Sequence, residues 1–329
     1  MRFQRTAYNP ERDFDRVREF LVRTHLSFGT FSLNWGIERW NYARYFVAPM
    51  LGSQGTEAGV PPGALRAIRM WEEMNRLWED EQGEIVGVAN IEHPDPDHPD
   101  FGEIFLQRHT DHPELLEEML GYAEKTFRDP KKSRVYIWIY KTDTMLRDAV
   151  ARRGYVEKPD IVVPYTEIAL ADLPAPALPP GFTVRTMAEE DDVDRRRELF
   201  GRAFDHPDPE DWPSAFAYRE LQRAPDYRRE HDLVIVAPDG TYAACCIIWL
   251  DETNRMGHLE PVGTHPDFRR RGLARAVVLH GLHRLAALGA TRVPMVSTAP
   301  LYEAIGFRKL GVYHHWIKTF EPERADGGD

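Results

Sequence analysis

The sequence predicts a mixed α/β protein in which two copies of one fold follow each other. Three observations carry this. The second half repeats the pattern of the first, each half alternates β-rich runs with helical periodicity, and a proline-rich segment separates them. The offset of roughly 180 residues is too long for a solenoid repeat and suits a duplicated domain. A chain of 329 residues is also longer than one typical domain.

The elements follow in order. Each half opens with an extended run, Phe3-Gln4-Arg5-Thr6 and Phe182-Thr183-Val184-Arg185-Thr186. Each continues into a helix of mixed charged and apolar residues, around Asp15–Phe20 and Asp194–Leu199. Residues 76–80, a Gln82-Gly83 turn and 84–92 match 233–237, a Pro238-Asp239-Gly240 turn and 241–251. Turn residues between two β-rich runs predict a hairpin in each half. A run at 102–106 precedes a helix at 114–127, and its counterpart at 257–264 precedes a helix at 273–288. The strand at 134–140, the helix at 144–152 and Gly154-Tyr155 parallel 292–297, 301–305 and Gly306-Phe307. Residues 161–170 read as the last strand of the first copy. Each half therefore predicts β–α–α–β–β–β–α–β–α–β–β. The boundaries are a first domain at 1–170, a linker at 171–181 and a second domain at 182–329. Four prolines in the eleven linker residues predict a stiff, extended connection. Residues 52–63 read as a Gly/Pro-containing loop, and 321–329 as a charged, frayed tail.

Composition excludes several classes. The net charge is −11, shared as −7 over 1–180 and −4 over 181–329. A phosphate backbone wants a basic surface, so nucleic-acid binding is disfavoured, whereas a cationic amine is electrostatically welcome. Mean hydropathy is −0.52 and no long apolar run occurs, which argues against a membrane span. The start MRFQRTAYNPERD lacks the apolar stretch of a secretory signal. The two cysteines, Cys245 and Cys246, are adjacent and point to opposite faces of a strand, so they read as buried thiols in a reducing cytoplasm. The thirteen histidines show no metal-ligand spacing, and no metal is expected.

The chemistry is concentrated at 260–275: Glu-Pro-Val-Gly-Thr-His-Pro-Asp-Phe-Arg-Arg-Arg-Gly-Leu-Ala-Arg. A glycine-punctuated helix start leaves backbone N–H groups unpaired, and with the macrodipole and flanking arginines it favours a phosphate or pyrophosphate. The spacing Arg269-x-x-Gly272-x-Ala274, followed by Leu301-Tyr302-x-x-x-Gly306-Phe307, resembles the signatures of the GCN5-related N-acetyltransferases (GNAT). The resemblance spans the whole chain as a tandem of the GNAT fold and is specific over 257–309.

What the resemblance implies is concrete. Arg269, Arg270, Arg271, Gly272, Leu273, Ala274 and Arg275 would hold the pyrophosphate of acetyl-CoA. Main-chain groups of Val262, Gly263 and Thr264 would pair with the pantetheine arm where the fourth strand splays from the fifth. Glu260 would take the amine proton, and Tyr302 would protonate the departing thiolate. The family's asparagine before Leu-Tyr is missing, and Ser297 is the candidate to replace its hydrogen bond. At the matching place the first half has Asp111 to Glu118, with glutamates at the helix start instead of arginines and glycine. Those carboxylates would repel a pyrophosphate, so the first half reads as a degenerate copy without a CoA loop.

Two further features carry alternatives. His265 reads as a turn-capping residue or a base. Trp35, Trp40, Tyr42, Tyr45 and Phe46, with His25 and Arg39 nearby, read as core or as an aromatic wall for an acceptor or a domain interface. The expected function is acetyl-CoA-dependent N-acetylation of a small-molecule primary amine, with a non-catalytic acyl-CoA sensor and a protein-amine acetyltransferase as alternatives. The oligomeric state is left open.

Overall fold

Local signals place most element starts. Asn9 accepts hydrogen bonds from the Glu11 and Arg12 N–H groups, and Pro10 fills the first turn of α1 (Pro10–Thr24). Phe14, Val17, Phe20 and Leu21 then line its buried stripe. The computed structural model describes residues 3–25, 27, 33–53 and 59–321. The expectation for the tail falls almost wholly outside these residues, and that for the loop at 52–63 falls partly outside them. Within that loop, Pro62 already begins a helix.

The first half runs β1 (Gln4–Ala7), α1, α2 (Ile37–Tyr42), a π-helical turn (Ala43–Val47), α3 (Ala48–Met50), α4 (Pro62–Met74), β2 (Arg76–Glu79), β3 (Ile85–Asn90) and β4 (Phe105–Arg108). It continues through α5 (Leu115–Thr126), β5 (Arg134–Tyr140), α6 (Thr144–Arg152) and β6 (Val156–Ala169). The second half repeats the order: β7 (Thr183–Thr186), α7 (Met187–Glu190), α8 (Val193–Ala203), α9 (Ala215–Leu221), β8 (Asp232–Val236), β9 (Tyr242–Asp251) and β10 (Met256–Thr264). It ends with α10 (Leu273–Ala287), β11 (Arg292–Val296), α11 (Pro300–Ile305) and β12 (Arg308–Thr319). The predicted repeat and both hairpins are present.

One expectation fails. Two strands were expected after the last helix of each half, and each half has a single long one. The two long strands are exchanged. β1-β2-β3-β4 form one antiparallel sheet, and the other has the order β5-β12-β6-β11-β10-β9-β8-β7. β6 of the first half lies between β11 and β12 of the second, while β12 lies between β5 and β6. Each half thus completes its sheet with the other's terminal strand. The pairing partner of a strand is a tertiary choice that the local pattern does not encode.

The halves are tied elsewhere too. Tyr42, Phe46 and Val47 sit in one core cluster with Leu199, Phe200, Tyr218 and Trp249. Arg18 makes a two-pronged ion pair with Asp226 at 2.7 and 2.6 Å. The linker is not a free spacer, since Leu173 and Leu178 pack on the core beneath α10 and the His283 ring meets the Pro174 carbonyl at 2.9 Å.

Candidate active site

The site begins where two parallel strands part. β10 and β11 pair at a single position, Met256 with Arg292. Beyond it β11 turns to β6, and β10 keeps only β9, with a register shift between Leu259 and Val262. The main chain of Val262, Gly263 and Thr264 therefore pairs with Cys246, Cys245 and Ala244 on one edge and has no strand on the other. This is the splay the sequence led us to expect. Gly263 has a different reason to be glycine from the one expected. A Cβ there would lie 2.8 Å from Ala203 Cβ, so the glycine lets α8 pack close.

The arginine-glycine loop follows. His265 caps the turn, its Nδ1 accepting from the Asp267 N–H at 3.3 Å. Gly272 adopts φ +81°, which L side chains rarely take, and it caps α10 without a side-chain partner for the exposed N–H groups. A Cβ on Gly272 would meet nothing within 4 Å, so the helix start opens onto free space. Three of the loop's arginines are held by main-chain oxygens: Arg269 by Ala203 at 3.0 Å, Arg271 by Asp267 at 3.2 Å and Arg275 by Ala304 at 2.7 Å. Arg270 is exposed at φ +64°, with no hydrogen bond or ion pair among the described residues. Unpaired helix N–H groups, a free guanidinium and an open approach fit a pyrophosphate. Ser297 is less available, because its Oγ already accepts from the Ala299 N–H at 3.1 Å.

Tyr302 stands in the first turn of α11, buried in the core cluster that also holds Cys246 and Leu273. Its ring meets Phe307 edge-on at 5.3 Å. Its hydroxyl makes no hydrogen bond among the described residues, and burial holds its pKa above the ordinary phenol value. The phenol is therefore protonated at neutral pH and able to donate.

Glu260 faces a cavity of about 400 Å³ between the two halves, lined also by Trp35, Arg39, Glu103, Trp138 and Tyr165. Its main-chain carbonyl accepts from the Trp249 indole at 2.8 Å, which fixes the strand beside the splay. Burial raises its carboxyl pKa to about 7, Arg39 opposes this, and Glu92 and Glu38 add to it. A carboxylate with that pKa is matched to proton transfer at neutral pH.

The matching place in the first half is built differently. There β4 and β5 meet at one parallel bridge, Glu103 with Tyr136, and then part. Counting four residues on from the bridge, the position matching Glu260 is Gln107, buried and bonded through Nε2 to Asn90 Oδ1 at 2.9 Å. The free edge of β4 is filled by the chain itself. The Trp35 N–H donates to Gln107 Oε1 at 2.7 Å, and Asn34 exchanges two hydrogen bonds with the Arg108 main chain, both at 2.9 Å. Helix α5 starts among Glu114, Glu117 and Glu118.

The aromatic cluster divides between its possible roles. Trp40 is core, Tyr42 and Phe46 pack between the halves, and Trp35 lines the cavity. Sequence reasoning missed Glu103, Trp138 and the Glu38–His258 pair at 3.1 Å. No spacing marks them, because they converge from separate strands and from α2. His93, His98 and Asp100 bring potential ligand atoms within 4.8 Å of one another. The two imidazoles are stacked 3.8 Å apart at 10°, however, so their nitrogens lie in nearly parallel planes and do not converge on one ion.

Comparisons with known proteins agree with this geometry. Residues 194–311 match the Acetyltransferase (GNAT) family. The chain is 25% identical over 278 residues to a mycothiol acetyltransferase of Nocardia farcinica, covering 80% of this chain and 89% of that one. Among solved structures it resembles a GCN5-related N-acetyltransferase from Sphaerobacter thermophilus, with TM-score 0.59, 18% identity and coverage of 97% and 96%. It also resembles a tandem GNAT protein from the clavulanic acid biosynthesis pathway, with TM-score 0.60, 14% identity and coverage of 98% and 99%. Residues 194–311 of the second half thus match the GNAT family, and the likeness to these solved structures shows the same fold in tandem along the chain. The acyl-CoA donor of that family would suit the open helix start of the second half. Among the described residues no helix is long and apolar enough to cross a membrane.

Proposed function

We propose that the protein transfers an acetyl group from acetyl-CoA to the primary amine of a small molecule by direct attack. The observation that carries this reading is the placement of Glu260, whose carboxyl has a pKa of about 7, on the wall of a cavity beside the β10–β11 splay. In this reading the second half alone holds acetyl-CoA, and the catalytic domain spans 182–329.

The free edge at Val262–Thr264 lines the pantetheine arm, and the N-terminus of α10 with Arg270 holds the pyrophosphate. The thioester supplies the acyl group. Glu260 accepts a proton from the acceptor's ammonium, since nitrogen needs a free lone pair to attack. Main-chain N–H groups at the edge of β10 stabilise the charge that develops on the carbonyl oxygen. Tyr302 delivers a proton to the leaving sulfur, and the second proton, lost from nitrogen as the amide forms, restores the phenol. The acceptor enters from the cavity, whose walls come from both halves and whose size suits a small ligand better than a peptide.

The test is thiol release from acetyl-CoA with a panel of amines. The panel includes the des-acetyl form of mycothiol, because relatives covering most of the chain bear that name. Acceptor-dependent release with at least one small primary amine is expected. Binding of acetyl-CoA with no release for any amine would support the sensor reading instead.

A further inference from the structure

At the first-half end of the cavity lies a carboxylate that the transfer reaction does not use. Glu103 sits at the parting point of β4 and β5, half-buried. Among the described residues it makes no ion pair, and its carboxylate accepts one long hydrogen bond, from the Tyr136 hydroxyl at 3.5 Å. The nearby cation is already taken, because Arg39 is paired with Glu92. Around Glu103 the cavity wall is aromatic. Trp35 and Phe105 pack with ring centroids 4.7 Å apart, and Trp138 stands on β5.

A half-buried carboxylate with one weak partner costs stability unless something satisfies it. An anionic ligand would be repelled by Glu103, Glu92 and Asp100, and an apolar one would leave the carboxylate unmet. A cation would be paired by the carboxylate and attracted by the ring faces. We propose that Glu103, with Trp35, Phe105 and Trp138, forms a subsite for a second cationic group of the acceptor, so that the substrate is a small molecule with two basic nitrogens. One nitrogen lies toward Glu260 and is acetylated. The other is held at Glu103. This rests on the proposed transfer reaction for the first nitrogen only.

Burial raises the Glu103 pKa to about 8, against the pull of Arg39 and with the support of Glu92 and Asp100. Below that pH the empty subsite therefore carries a proton. A bound cation favours the ionised form and expels it, so dication binding tightens as pH rises toward 8.

The test uses the full chain and two sets of probes: α,ω-diaminoalkanes, and amino alcohols of matched chain length. Calorimetry without acetyl-CoA reads the subsite, and thiol release with acetyl-CoA reads the transfer. At least one diamine should bind about tenfold or more tightly than its amino alcohol, as one charge-assisted contact would give. Glu103→Gln keeps the volume and removes the charge, and it should reduce that ratio to about twofold or less. Trp138→Leu, which strips part of the aromatic wall, should also lower it. Equal binding of both probe sets, binding of neither, or a ratio unmoved by Glu103→Gln would overturn the proposal. Glu103-dependent diamine binding without thiol release from any amine would leave the subsite standing and refute the transfer reaction. Turnover of both probe sets at equal kcat/KM would do the reverse.

Discussion

Replacing Glu260 by glutamine removes the group with the raised pKa while keeping its volume on the cavity wall. Two quantities should change. The first is the pH dependence of rate. With an acceptor whose own amine titrates well above pH 8, the wild-type kcat/KM should rise with an apparent pKa near the value of about 7 set by burial. The variant should lose this limb and fall by roughly 10²–10⁴-fold at pH 8. The second is stability. The folded pKa of about 7 exceeds the ordinary carboxyl value of 4.5, so the fold disfavours the ionised form. Any stability associated with the neutral carboxyl is fully present below pH 4.5 and is lost as pH rises through about 7. The difference corresponds to at most about 3 kcal/mol, reduced because the half-buried side chain faces cavity solvent. Glu260→Gln cannot ionise, so its stability relative to wild type should improve between pH 5 and pH 8. Paired denaturant titrations at the two pH values measure this, alongside the pH–rate profile. A variant that keeps a limb near pH 7, with a stability difference that does not move with pH, would show that Glu260 is neither the base nor a strained carboxyl.

Four other outcomes are expected. Tyr302→Phe should lower kcat by roughly 10²–10⁴-fold and leave acetyl-CoA affinity nearly intact, because the hydroxyl acts only as sulfur departs; wild-type turnover would make it a packing residue. Gly272→Val puts a β-branched residue at φ +81° and a side chain into the open approach to α10, so acetyl-CoA should bind about tenfold or more weakly by calorimetry while far-UV circular dichroism stays unchanged. Titration of the intact protein should give one acetyl-CoA per chain, since Asn34 and Trp35 fill the slot of the first half; two equivalent sites would contradict this. Arg196 is fully buried and pairs with Asp232 at 3.0 Å, so Asp232→Ala should cost about 3–5 kcal/mol in denaturant unfolding by leaving the guanidinium unpaired, and a loss below about 1 kcal/mol would show that water reaches it.

Much of this protein is legible in its residues because the signals are local. The repeat, the hairpin turns, the capped helices and the glycine at the start of α10 depend on neighbours within a few positions. The loop at Arg269–Ala274, the glutamate beside the splay and the acidic helix start of the first half could be compared within one chain. The contrast between the arginine-glycine loop of the second half and the acidic helix start of the first is therefore written along the sequence.

The exchange of β6 and β12 is not. A strand that pairs across the halves has the same alternation as one that pairs within its own, so only the assembled sheet selects the partner. The cavity beside Glu260 is equally tertiary. Trp35 comes from the chain entering α2, Arg39 from α2 itself, Glu103 from the bridge just before β4, Trp138 from β5, and Glu260 from β10. No spacing joins residues up to 225 positions apart, as Trp35 and Glu260 are. Even the pKa of Glu260 belongs to the fold, because a glutamate in the unfolded chain is an ordinary acid. Its pKa is pushed up to about 7 only when the first half closes over it and brings Arg39, Glu92 and Glu38 within electrostatic reach. The sequence determined which residues are candidates for the chemistry, and the packing of one copy against the other decided where the cavity lies and how far burial raises the Glu260 carboxyl.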